Sequence, residues 1–301
     1  MTIYGVGYRQ LSYEPTAMWR RLWPIARMEF RSMFRNRLGI IGFLLCQGPA
    51  IGSLVILMIQ LGVWKLTGGD EAMAARGALA PFDQDSRANP FSVLFFINPV
   101  IVESRLPFIV LTFLVSCRAI AKDRGANALE IYWTRGITPM GYFLAKWFGS
   151  FLLLGVGFIA LPALLWLLGI LMASDSAMWD ATISFMPRVL LSLILFTLLM
   201  SGLAVGFSAL SRSANFSSIL WLFLIVGSAV FGQVLTRVFR GQPWLAAISP
   251  WDAAKRLVEW GSGVTGSDSD PIWSAWLVLG IIVCVLGTAV IRRLRLGQAV
   301  Q

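Results

Sequence analysis

Ionisable and aromatic residues gathered in a short stretch of chain are the first candidates for chemistry. Here they lie between Lys122 and Lys146, where Asp123, Arg124, Glu130 and Arg135 are interleaved with Leu129, Tyr132 and Tyr142. The chemistry is not catalytic. The chain has no His, and its three cysteines, Cys46, Cys117 and Cys284, stand far apart, so neither an imidazole base nor a thiolate metal site is expected. No Gly-x-x-x-x-Gly-Lys-Ser/Thr run occurs, so no phosphate-cradling loop of that kind is expected. What these residues can do is recognise a partner. Asp123 and Arg124 open a helical turn, Ala128, Leu129, Tyr132 and Trp133 can share one apolar face, and Arg135-Gly136 closes it. An amphipathic helix of this kind docks into a groove on another protein. For Glu130, Arg135, Asp123 and Arg124, the competing reading is a solvated helix face.

The elements that hold this stretch belong in a membrane. Apolar residues make up 57% of the 301 and charged residues 13%, about half the charged share of a soluble domain. About 20 apolar residues cross a bilayer core, and five runs qualify: 40–63, 147–172, 189–210, 217–235 and 272–291. A sixth, Leu106 to Ala121, is short, extended by Arg118 and Lys122 snorkelling to the interface. Phe91 to Val102 before it reads as an interfacial or re-entrant segment. Glu103 and Arg105 read as a local ion pair at the outer interface, with a place along a substrate path as the rarer alternative. The expected fold is an all-α polytopic membrane protein with about six spans and both termini cytoplasmic.

Charge sets that orientation. The net charge is +10, and six spans with both ends inside divide it into +12 inside and −2 outside, as Lys and Arg collect on cytoplasmic flanks. The basicity therefore signals topology, and no nucleic-acid partner is expected. The first long apolar run begins near Leu38, so no cleavable signal is expected and the first span serves as its own targeting signal. The three cysteines fall in or at the ends of apolar runs and are expected to be unpaired.

The remaining segments are organised around these spans. Residues 1–37 form a cytoplasmic N-terminus, and Met18 to Arg37 places Trp19, Trp23, Ala26, Phe30 and Phe34 at helical spacing among Arg20, Arg21, Arg27 and Arg31. This is an interfacial helix, with rings at the headgroup level of the bilayer and guanidinium groups meeting lipid phosphates. Residues 38–301 form the spanning domain, with a cytoplasmic loop at 122–146 and outer loops at 64–105, 173–188 and 236–271. Ser249-Pro250 starts a short interfacial helix in the last of these, and Gly261 to Asp270 reads as a flexible turn. The small residues of Gly48 to Gly52 and Ser201 to Gly206 mark close helix approach.

The loop resembles that of the permeases of type-two ABC exporters, the ABC-2 family. There the second span ends in an acid-arginine pair, followed by Gly-x-Leu-Glu, an apolar turn, a Ser-Arg-Pro-Ile-Ser-like turn and a Tyr-x-x-Gly-Lys entry to the third span. Matching residues are Asp123, Arg124, Leu129, Glu130, Tyr132, Arg135, Ile137, Thr138, Tyr142 and Lys146. Asn127, Gly136 and Ala145 depart from the pattern, and Asn127 replaces a Gly with a residue that tolerates left-handed backbone. The basic tail at Arg292, Arg293 and Arg295 and the order of the other elements extend the likeness over nearly the whole chain.

The resemblance implies a permease subunit in a bacterial inner (cytoplasmic) membrane, with no catalytic site or bound cofactor of its own. It would work with an ABC ATP-binding subunit in two copies, which supplies ATP and Mg, and with a second permease copy or paralogue. The loop would be the coupling helix and Met18 to Arg37 the elbow helix. The alternative function is a non-transporting membrane anchor that holds a larger complex. A membrane hydrolase or transferase would need clustered carboxylates or His, and none is present.

Overall fold

The computed structural model describes residues 18–35, 37–66, 102–129, 132, 137–160, 163–164, 167–168, 171, 176–239, 243–262 and 272–299. Among them the secondary structure is entirely helical. In chain order these are α1 (Met18–Phe34), α2 (Arg37–Leu66), α3 (Arg105–Leu114), α4 (Ala119–Gly125), α5 (Pro139–Phe158), α6 (Ser176–Leu210), α7 (Ala214–Leu222), α8 (Ser228–Val238), α9 (Pro250–Gly261) and α10 (Ile272–Ala299). Among the described residues, four stretches are long and apolar enough to cross a membrane: Pro139–Phe158, Met186–Leu210, Ala214–Val238 and Ile272–Arg293. A shorter apolar stretch, Gly39–Pro49, lies within α2.

Two expected spans differ from what is found. The third was placed at 147–172, but its helix starts at Pro139, because Thr138 caps it by accepting from the Gly141 N–H at 3.1 Å and Pro139 takes the first turn. Tyr142 and Lys146 therefore lie inside a helix that is long and apolar enough to cross a membrane. The second, Leu106 to Ala121, is broken at Val115, and a 3₁₀ turn over Ser116–Arg118 joins α3 to α4. The break leaves the first N–H groups of α4 without helical partners. Ser208 of α6 supplies one, its Oγ accepting from both Ile120 N and Ala121 N at 2.9 Å. The Ala214–Val238 span also carries an irregularity, a wide π turn over Phe223–Gly227 between α7 and α8.

The core runs along α5, α6 and the α3–α4 segment. At one end Phe108, Phe158, Phe196 and Trp251 meet edge to face, with ring centroids 4.5 Å apart for Phe108–Phe158 and 5.1 Å for Phe196–Trp251. Trp251 comes from α9, which Ser249 caps as its Ser-Pro start predicts. The small residues of α6 act in packing, Gly202 lying against the Trp147 ring and Gly206 against Leu286. At Gly48 and Gly52 a Cβ would meet nothing within 4 Å among the described residues.

The ion pair at the start of α3 has a different partner from the one expected. Arg105 reaches Asp252 of α9 at 3.4 Å and lies over the Trp251 ring, instead of pairing with Glu103 two residues away. A helix start turns adjacent side chains to different faces, and α9 brings its carboxylate to the face that Arg105 occupies. Phe91 to Ile101 and the turn at 263–270 lie outside the described residues.

Candidate functional site

At the opposite end of the bundle from the aromatic cluster, four polar side chains from three elements meet in a buried cluster. Lys146, 2% exposed, sits two turns into α5, and its Nζ reaches Glu29 Oε2 at 2.8 Å and Asp123 Oδ2 at 2.9 Å. The Tyr142 hydroxyl donates to the same Asp123 oxygen at 2.6 Å. Glu29 belongs to α1, Asp123 to α4, and Tyr142 and Lys146 to α5 one turn apart, on one face. Two carboxylates on one ammonium leave a net negative charge, and the Tyr142 donor moderates it at Asp123.

The elements come together here for local reasons. Helix α1 lies against α5 because Gly149 has no side chain; a Cβ there would stand 2.7 Å from the Ala26 carbonyl oxygen and 2.8 Å from Glu29 Cβ. That approach buries Ile25, Ala26 and Glu29 on one stripe of α1. Helix α4 stops just beyond Asp123. The Ala128 N–H donates back to the Asp123 carbonyl at 2.9 Å, and Asn127 adopts a left-handed φ of 53°. This is the conformation that favours Gly, and Asn among the other residues. Asn127, where the resemblance implies a Gly, adopts a backbone that Gly also takes readily.

The neighbouring Arg124 is also engaged within the chain. Its Nη1 donates to the Ala209 carbonyl near the end of α6 at 2.9 Å, where helix carbonyls lack partners and a cation is favoured. Burial lowers its pKa from the usual guanidinium value, and the charges of Arg293 and Arg212 lower it further.

The predicted loop residues divide into three groups. Asp123, Tyr142 and Lys146 come together in the ion cluster, and Arg124 flanks it. Leu129 and Tyr132, read as part of a face awaiting a partner, are half-buried against the chain's own Ile120, Tyr142 and Val205 cluster. The Tyr132 and Tyr142 rings are 5.1 Å apart. Glu130, Trp133 and Arg135 lie outside the described residues. Lys122, Gly125, Ala126 and Asn127 are the exposed part of the stretch.

Of the interfacial helix, Arg20, Trp23, Arg27, Arg31 and Phe34 are exposed and Phe30 is half-buried; the side chains of Trp19 and Arg21 lie outside the described residues. Ala26, read as part of the lipid-facing stripe, faces α5 instead. The residue the sequence reading passed over is Glu29, the one acid in Met18 to Arg37. Its signal was present, since it follows Ile25 and Ala26 at helical spacing, on the stripe that α5 covers.

Among the described residues, no group of three His, Cys, Asp or Glu could hold a metal. The cluster is a charge network that fixes three helices to one another beside an exposed turn. No curated protein matches the chain. The family described as ABC-2 family transporter protein matches residues 23–291, from within α1 to the end of the last span. This chain belongs to that family of multi-pass membrane permeases, which have no catalytic activity of their own and work with a separate ATP-binding subunit.

Proposed function

We propose that this chain is the six-span permease subunit of an ATP-driven exporter in a bacterial inner membrane. Both its ends lie on the cytoplasmic side, and it takes its drive through residues 122–146. Two permease halves, identical or paralogous, would assemble with two ATP-binding subunits, and their ATP-driven closure would push on the exposed turn at Lys122 to Asn127. The division of charge into +12 and −2 supports the orientation.

The observation that carries the proposal is the Glu29–Lys146–Asp123–Tyr142 cluster. A force on the turn after Asp123 reaches α4, α5 and α1 together, because one buried ammonium holds all three. Ionisable residues at membrane depth are costly and are retained for function. Moving such a unit as a rigid body switches helices between two packed arrangements without bending each one.

The test is a cysteine at exposed Ala126, cross-linked in native membranes. The expected product joins this chain to an ATP-binding subunit, whereas a cysteine at exposed Trp276 on α10 gives none. Failure of Ala126→Cys to cross-link any ATP-binding subunit, in membranes where the two proteins co-purify, would overturn the assignment of the loop.

A further inference from the structure

Beside the ion cluster, a cavity of about 800 Å³ opens between α1 and the α3–α4 segment, within the roughly 300–1,000 Å³ range of small-molecule sites. Six cationic side chains and two carboxylates line it, a net charge of +4. Both carboxylates, Glu29 and Asp123, are held by Lys146. That leaves Arg27, Arg31 and Arg35 on the α1 wall facing Arg118 and Lys122 on the other. No ion pair among the described residues joins any of these five to an acid. Arg118 spends one Nη2 donor on Asn215 at 3.2 Å.

The cavity is also amphipathic. Trp23, Leu114 and Val115 line it alongside the cations, and it sits beside the helix that leads into α2. A cluster of guanidinium groups matches a phosphate, which takes paired N–H donors. Basic pockets between membrane helices at this depth accept anionic headgroups, with the acyl chains against apolar walls.

We propose that this cavity is a binding site for one anionic phospholipid, its phosphate held between α1 and the α3–α4 segment and its chains against Leu114 and Val115. The inference does not depend on which subunit drives the permease. It differs from general adhesion of α1 to the membrane surface because Arg118 and Lys122 supply a second wall, so a single headgroup is held from two sides.

Native mass spectrometry of the full chain in detergent, titrated with phosphatidylglycerol or phosphatidylcholine, tests it. The expected result is one retained phosphatidylglycerol at about a tenth of the phosphatidylcholine concentration needed for equal occupancy, a difference of about 1.4 kcal/mol. Two variants neutralise one wall each, Arg27→Gln with Arg31→Gln, and Lys122→Gln. These side chains are exposed, and each variant is expected to reduce the preference several-fold. Arg292→Gln with Arg293→Gln, outside the cavity, should leave it unchanged.

Equal retention of the two lipids, or equal loss of preference in the tail variant, would overturn the site. Full displacement of the lipid by glycerol 3-phosphate would overturn the lipid in favour of a small soluble anion. Wall variants that release a co-purifying protein subunit while keeping the lipid preference would assign the cavity to a protein contact instead.

Discussion

The two ends of this bundle are held by opposite kinds of force. At the loop end, one lysine joins α1, α4 and α5 through short, directional contacts to Glu29 and Asp123. At the other end, Phe108, Phe158, Phe196 and Trp251 join α3, α5, α6 and α9 through edge-to-face ring packing, which is apolar and can shift without leaving a charge exposed. Lys146 and Phe158 lie on the same helix, about 18 Å apart at 1.5 Å per residue. A single rigid rod thus runs from a joint fixed by charge to one held by shape. The contrast fits a permease driven at the loop end, where input must move several helices together, while the far end must repack.

The largest effect should come from the charged joint. Lys146→Met keeps length and approximate volume but leaves Glu29 and Asp123 facing each other in a buried site. Breaking a buried ion pair on one side costs about 3–5 kcal/mol. We expect the denaturation midpoint and the monodisperse yield in detergent to fall sharply. Replacing the network as a whole, with Glu29→Leu, Lys146→Met and Asp123→Asn together, should restore most of the stability and still uncouple ATP turnover in the co-purified ATP-binding subunit from substrate. A triple variant that couples normally would remove the mechanical role and leave the cluster as a folding device.

The turn beside this joint should respond next. Asn127 at φ 53° can give way to Gly almost without cost, but Asn127→Val places a β-branched side chain in left-handed backbone, at about 1–2 kcal/mol. Thermal midpoints of the two variants check the sign. In the soft joint, Phe196→Leu exchanges one apolar shape for another, with an expected cost of about 1 kcal/mol. Its loss should be several times smaller than that of Lys146→Met, although both substitutions nearly conserve volume.

Much of this arrangement was legible in the sequence, and the parts that were not have physical reasons. Apolar runs located the spans at 189–210, 217–235 and 272–291, because length and hydropathy are read locally. The family match over residues 23–291 agrees with a resemblance drawn from the loop. The start of α5 was misplaced because the apolar run begins at Trp147, whereas the helix begins at its Thr138-Pro139 cap. The break at Val115 was invisible because its compensation, Ser208, lies almost ninety residues away. For Glu29 the helical spacing to Ile25 and Ala26 was readable, but its partner, Lys146, is 117 residues off. Asp123, Tyr142 and Lys146 were selected by pattern, but only three-dimensional packing shows that they touch one another.

The smallest effect should come from the ion pair at the aromatic end, and it decides whether charge as such separates the two joints. Arg105 and Asp252 are 3.4 Å apart, with each side chain 28% exposed, so water screens their attraction. Pairs of this kind contribute about 0.2–1 kcal/mol. The guanidinium also lies 5.7 Å from the Trp251 ring centroid, which adds about 0.5 kcal/mol at such a half-open site. Arg105→Gln should therefore shift the denaturation midpoint slightly, and raising the salt concentration should erase much of the difference from wild type. The loss in Lys146→Met should persist at high salt, because counter-ions do not reach a buried ammonium. If the two variants lost similar stability with the same salt response, burial would not be what sets the loop-end joint apart.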